Sequence, residues 1–515
     1  MFARPVEGSV PKLIGVFAYL GILLYIGMLA SRRMKDVRDY FAGGKQMGFW
    51  AVAFSARATG ESAWLLLGLT GMGAAVGVQA LWVVVGEVLG VGGAWLLLSR
   101  RFKRLTDRYD SLTVPDYLES RFRDTGHLLR VVSAGALVVF VTIYVSAQID
   151  ATGTAFETFL GWNYYLGIAI GFAVVLVYIV SGGFVAVVWS DVFQGALMCA
   201  GLVALPIVGL LYAGGWSVVS EGLRTQDPTL LQMSFGADLD SQLATLALLL
   251  IGLGFLGSPQ IFVRFIALRS ESELGRGAAV ALAWTLLADV GAVMTGMIGR
   301  HLLVGPGADV EATLGQGAQD VLPMLVDTTM PYILVGLYIA IVLSAIMSTV
   351  DSLLVLASSA VVRDWMQKVR RPDTPDDQLV GTSRRATIVL AGVALAISLG
   401  VAITTPERTI FWFVIFGWSG IGATFCPTMI LSLFWPSMTA RGALAAMVTG
   451  FVSVPVFKFA APALGGAAGS AFAALSELPP AFAASMLAGV VVSMFDRRGR
   501  EAMAEAADDL RDAGR

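Results

Sequence analysis

The chain has 515 residues, of which 57% are AVILMFWYC and only 14% are charged, where a soluble domain carries roughly 25% charge. That balance excludes a soluble globular enzyme, and a net charge of −2 excludes an overall basic field for nucleic acid. Apolar runs recur from residue 11 to residue 495 with no break in composition. Residues 1–495 therefore read as a single polytopic membrane domain, and 496–515 as a cytoplasmic tail that is a short solvated helix or a disordered end.

About 20 apolar residues cross ~30 Å of hydrocarbon, and thirteen such stretches occur, near 11–30, 48–74, 80–99, 128–152, 164–181, 188–213, 243–266, 277–300, 331–358, 385–403, 409–434, 440–462 and 479–495. In a bilayer each must be helical, or broken only where protein or water satisfies the backbone, so the expected fold is an all-α integral membrane protein. The first span has no small-residue cleavage pattern behind it, so no signal peptide is expected to be removed. Alternate loops, together with the tail, hold 27 of the 35 Lys and Arg, against Arg4, Lys12, Arg224 and Arg408 in the opposite set. By the positive-inside rule the C-terminus is cytoplasmic and the N-terminus outside.

The second span holds Ser55 to Trp64, with an Arg, a Glu and a Gly inside a hydrophobic stretch, and the seventh holds Gly252, Gly254, Gly257 and Pro259 near mid-membrane. Gly weakens a helix by ~1 kcal/mol and Pro by ~3 kcal/mol, so both are candidate unwinding points; close helix packing by small residues is the alternative. Gly252 to Gly257 also matches the dinucleotide fingerprint, but no strand precedes it. Two breaks five spans apart are the arrangement of two inverted five-helix repeats, about 47–213 and 243–434, meeting at a midplane site. Half-helix ends there expose N–H and C=O groups able to hold a carboxylate and a small cation.

Span 9 carries Ser344 to Ser352, and at helical spacing Ala345, Ser348, Thr349 and Ser352 share a face. Two hydroxyls opposite the carbonyls of a broken helix make a hard-oxygen cage for a small cation, unless they bond to their own helix or to a neighbour. Asp191 opens span 6, either as a helix N-terminal carboxylate or on an ion exit path. Ionisable groups inside a bilayer call for a partner or a task, and Arg57, Glu61, Glu87 and Asp289 are such groups; Arg57 with Glu61 or Glu87 reads as a structural ion pair or as a substrate contact. Trp64 and Phe255 lie at the two breaks and Tyr144 lies mid-span, placed to wall a pocket or simply to pack. Cys199 and Cys426 read as buried apolar residues, neither disulfide nor metal ligand.

At these residues the sequence resembles the sodium/solute symporter family. The likeness runs from about Asp39 to Lys458 through Asp39-Tyr40 with Gly43-Gly44, Leu112 to Tyr117, Gly182 to Asp191, Gly254 to Pro259, Met347 to Thr349, and Gly417 to Gly420 with Gly442-Ala443. The resemblance implies a leucine-transporter-type five-plus-five core with spans 2 and 7 broken, and import of a small organic solute, proline or a related amino acid, driven by sodium. Carried over by position, sodium would bind backbone oxygens of Ala58, Glu61 and Ala345 and the hydroxyls of Ser348 and Thr349. Asp191, Ser62, Asp351 and Ser352 fall on a second sodium or exit path; Trp64, Tyr144, Phe255, Gly254 and Ser258 fall at the substrate. Members that carry proline have Asp at Gly60, Gly at Ala63, Trp at Ile251 and Tyr at Phe255, so this chain departs from them in the pocket.

The expected partners are a small solute, sodium and the lipid bilayer, with no nucleic acid and no obligate protein partner. The alternatives are a carboxylate as solute, a proton as coupling ion through Glu61 or Asp289, and a solute sensor. No enzyme is expected, since His127 and His301 are the only histidines and no nucleophile–base pair is evident.

Overall fold

The computed structural model describes residues 9–31, 43–503 and 506–514; Asp39 and Tyr40 lie outside them. Among the described residues the long elements are all helical, and the β-structure is one isolated bridge between Met47 and Leu268. Eleven helical stretches are long and apolar enough to cross a membrane. One of them, Phe49–Arg108, has 60 residues, about 90 Å at 1.5 Å per residue, and another, Gly183–Ala213, is the second part of a 50-residue helix, Tyr164–Ala213, about 75 Å long. Both change direction where the backbone turns to positive φ, at Gly77 and at Gly183 (φ 58°, ψ −171°).

The site is built from α1 (Ser9–Ser31), α2 (Phe49–Ala63), α3 (Leu81–Gly92), α4 (Leu128–Leu160), α5 (Tyr164–Ala213), α6 (Pro259–Ala267), α7 (Leu274–Leu303), α8 (Tyr332–Ser359) and α9 (Ile410–Phe434). At the start of α2 the Phe49 N–H donates to the Glu273 carboxylate at 3.0 Å, which satisfies one of the N–H groups a helix start leaves free and favours its positive end. Residues Ser55 to Ala63 are buried all round, against α5, α6, α7 and α8. A helix with no lipid-facing stripe sits at the centre of its bundle, and α2 does so with Arg57 and Glu61 inside it.

Backbone geometry departs from α at both expected positions. In α2, Ser62 has φ 52° and ψ −166°, a conformation that costs a non-glycine residue about 1–3 kcal/mol and persists only where neighbours hold it. In the other stretch, helix Leu239–Leu250 gives way to 3-10 geometry over Ile251–Phe255, and α6 starts only after Ser258. Close packing accompanies the unwinding here: a Cβ on Gly252 would overlap the Gly86 carbonyl of α3. Gly252→Val is therefore expected to prevent this seam from closing, an overpacking cost of about 1–3 kcal/mol or more. The check is a fall in monodisperse protein by size-exclusion chromatography, against an unaffected Gly275→Val, which meets open space.

The tail differs from expectation. Helix Ala506–Gly514 docks on helix Ser99–Arg108, with Ala506, Leu510 and Ala513 buried, Asp509 accepting from Tyr109 Oη at 2.9 Å and pairing with Arg108 at 2.7 Å. The small apolar side chains, spaced three and four apart, form one face, which a reading by composition takes for a solvated end. Leu510→Asp should undock it, since burying a leucine is worth about 1.5–3 kcal/mol; limited proteolysis beyond residue 503 should then speed up, and unchanged cleavage would contradict the docking.

Candidate substrate and ion site

The Ser62 break and the hydroxyl face of α8 meet. Ser348 Oγ donates to the Ala58 carbonyl at 3.0 Å and Thr349 Oγ1 to the Thr59 carbonyl at 3.2 Å, and both also reach the Ala345 carbonyl, at 3.2 and 3.1 Å. Three carbonyls and two hydroxyls thus converge, all buried. Ala58, Ala345, Ser348 and Thr349 come together, Thr59 joins them, and Glu61 turns its side chain elsewhere. The hydroxyls bond across to α2 and also back to their own helix, so the two sequence readings of this face coexist.

On the other side of the break, Gln148 of α4 holds the freed backbone: Ala63 N donates to its Oε1 at 3.0 Å. Ser62 Oγ accepts from Gln148 Nε2 and Tyr144 Oη, each at 3.3 Å. Tyr144 packs on Gly417, Phe255 lies 4.7 Å from the Trp418 ring, and Trp64 meets Phe411 at 6.1 Å. The three expected aromatic residues therefore all meet α9, Trp64 and Phe255 through their rings and Tyr144 through its backbone and Cβ. In the second unwound stretch the Ser258 and Cys426 side chains both donate to the Gly254 carbonyl, and Trp418 Nε1 donates to Ile251 O at 3.1 Å. A mostly apolar cavity of about 380 Å³ is lined by Gly68, Met72, Leu248, Gln319, Phe411 and Trp412 among others. Phe411 thus borders both this cavity and Trp64.

Asp191 lies eight residues beyond the Gly183 turn, more than two helical turns, so it is not a helix N-terminal carboxylate. It is fully buried and pairs with Arg264 of α6 at 3.1 Å, while Ser55 and Thr59 donate to it at 2.6 and 3.3 Å. Arg264 also donates to Ser352 Oγ, Thr59 Oγ1 and Ser55 Oγ at 2.5, 2.7 and 3.0 Å. Asp351 is buried within electrostatic range of Asp191 and Arg264. Asp191, Asp351 and Ser352 thus share one cluster. Ser62 is not part of it and belongs with Tyr144 and Gln148.

Arg57 pairs with both Glu61 and Glu87, the latter at 3.1 Å, and its guanidinium lies 5.0 Å from the Phe255 ring centre and 5.6 Å from that of Trp284. Asp289 completes this group from α7. The main addition to the expected residues is Arg264, which counting charges by loop assigns to the segment 263–276 although it falls inside the limits of the seventh span. Gln148, one turn from Tyr144, and Trp418, inside a motif already singled out, carried positional signals of the same kind.

The chain has the fold of a multi-pass membrane transporter. It superposes on a Na+-coupled sialic acid symporter in a substrate-bound outward-open state with a TM-score of 0.77 at 19% identity, over 94% of this chain and 97% of that one. It also superposes on Mhp1, a nucleobase-cation-symport-1 family transporter, with a TM-score of 0.52 at 15% identity, over 92% and 98%. The chain belongs to the sodium:solute symporter family, whose sequence profile matches residues 40–450. Among its relatives are the high-affinity proline transporter PutP of Bacillus subtilis, 35% identical over 95% of this chain and 99% of that protein, and the sodium/proline symporter of Escherichia coli, 32% identical over 87% and 88%.

Proposed function

We propose that the protein is a sodium-coupled symporter of the cytoplasmic membrane that imports proline or a closely related small amino acid. Dividing Phe49–Arg108 at Gly77, and counting the part of Tyr164–Ala213 before Gly183 as a further crossing, turns eleven apolar stretches into thirteen crossings. Spans 2 to 6 and 7 to 11 then form two inverted repeats, with the N-terminus outside and the C-terminus inside. The observation that carries the reading is the pairing of Ser348 and Thr349 with the carbonyls of Ala58 and Thr59 beside an unwound Ser62. Those oxygens, with Ala345 O and the main chain of Glu61, suit a small hard cation. Such an ion would fasten α2 to α8 only when bound.

The solute would lie across the Ser62 break, among Trp64, Tyr144 and Phe255, with Gly254 and Ser258 supplying polar main-chain and hydroxyl groups. It would enter from the 380 Å³ cavity after Phe411 moves. On the inner side Asp191, Asp351 and Ser352 would pass sodium towards the cytoplasm once Arg264 swings out. Inward sodium movement draws on the membrane potential, ~2.3 kcal/mol per charge per 100 mV. Competition for uptake of labelled proline by amino acids, small carboxylates and sugars tests the solute assignment: proline and its ring analogues should compete, and competition by carboxylates alone would replace it.

A further inference from the structure

A second face of α2, turned to α3 and α7, carries a group of charges that the symport reading leaves without a task. Glu61, Glu87 and Asp289 each place one carboxylate oxygen within 4.8 Å of the other two, at 0 to 1% exposure. Arg57 pairs with Glu61 and Glu87. One guanidinium against three carboxylates leaves a formal charge of −2 in a place that water does not reach. A separate observation concerns Asp289 itself: it is fully buried, it points into the group, and among the described residues neither of its oxygens has a hydrogen-bond partner. A buried carboxylate without donors takes up a proton, a counter-charge or a ligand.

Geometry indicates which ligand fits. Points no more than 4.8 Å apart lie within a circle of about 2.8 Å radius, so one ion among them approaches all three oxygens near the ~2.3–2.6 Å at which hard cations bind oxygen. The donors are all hard, which disfavours copper or zinc. Arg57, held over Phe255 and Trp284, offsets one of the three carboxylate charges, and the choice of sodium among hard cations follows from the sodium-coupled reading. We propose that Glu61, Glu87 and Asp289 form an additional sodium site, distinct from the one at Ser348 and Thr349; this rests on the sodium-coupled reading and extends it. Glu61 follows Thr59 by two residues on α2, and the Thr59 carbonyl faces the Ser348 and Thr349 site, so filling either site positions the other. Sodium activation of uptake is then sigmoidal.

The test uses the purified full chain in lipid nanodiscs without solute, treated with a hydrophobic carbodiimide that modifies carboxyl groups in apolar surroundings, in sodium chloride or choline chloride, with the labelled peptides mapped by mass spectrometry. Sodium at ten times its dissociation constant should slow labelling of Glu87 and Asp289 about ten-fold. The protection should persist in the S348A/T349A double variant, so failure of that other site and failure of this one are distinguishable. Asp289→Asn should bring the Hill coefficient for sodium in uptake down to 1. Equal labelling in sodium and choline overturns the proposal, as does protection by calcium but not sodium, protection that disappears in S348A/T349A, or an unchanged Hill coefficient in Asp289→Asn. Should Asp289→Asn fail to fold, labelling of the unaltered chain decides the matter.

Discussion

Replacing Ser348 and Thr349 together with alanine should raise the sodium concentration for half-maximal uptake by about ten-fold to a thousand-fold. Each hydroxyl is a buried oxygen facing a freed carbonyl of α2, at 3.0 and 3.2 Å, and an oxygen bonded to a charged group is worth about 1.5–3 kcal/mol. Every 1.4 kcal/mol is a factor of ten in affinity, and ligands of one ion are not independent, so the lower end is the safer figure. The same substitution leaves the carbonyls of Ala58 and Thr59 short of a donor, so some loss of stability is also expected. Thr349→Ser separates the two effects: it keeps the oxygen and loses a methyl group, and its sodium dependence should stay close to that of the parent. An unaltered sodium dependence in S348A/T349A would reject the cage.

The second large effect is at Arg264. Its guanidinium is the positive group paired with Asp191 and donates to Ser55, Thr59 and Ser352 in the same cluster. Removing one partner of a buried ion pair costs about 3–5 kcal/mol, because a carboxylate is left buried and unpaired. Arg264→Gln should therefore lower the melting temperature markedly and abolish uptake. Adding Asp191→Asn removes the stranded charge and should recover most of the melting temperature without restoring sodium-driven uptake. A single variant as stable as the parent would contradict the pairing. A double variant that still couples sodium would contradict a role for Asp191 on the ion path.

Much of this arrangement was legible before any coordinates. The apolar runs mark an all-helical membrane chain because a bilayer admits few other spanning structures, and Gly-rich or charged stretches near Gly60 and Gly254 mark positions where a uniform helix is costly. The backbone departs from helical geometry within a few residues of both. Arg264 is not legible, because loop-by-loop counting of Lys and Arg places it in the segment 263–276, and only the three-dimensional approach of α6 to α2 and α5 gives it a buried partner. The docking of 506–514 escaped for a related reason: three small or medium apolar side chains among charges form a face only when Tyr109 and Arg108 stand opposite. Place in the chain puts Ser62 on the ion path, yet its hydroxyl, at a positive φ, bonds to Tyr144 and Gln148.

The central claim is that an ion held between the unwound part of α2 and the hydroxyls of α8 drives the solute inward. The most direct measurement is uptake of labelled proline into proteoliposomes at equal pH on both sides and zero voltage, with an inward sodium gradient as the only driving force. Accumulation above the external concentration, collapsing when sodium is equalised, is the predicted result. Equal uptake with sodium and with choline outside, or accumulation driven only by an imposed proton gradient, would contradict it.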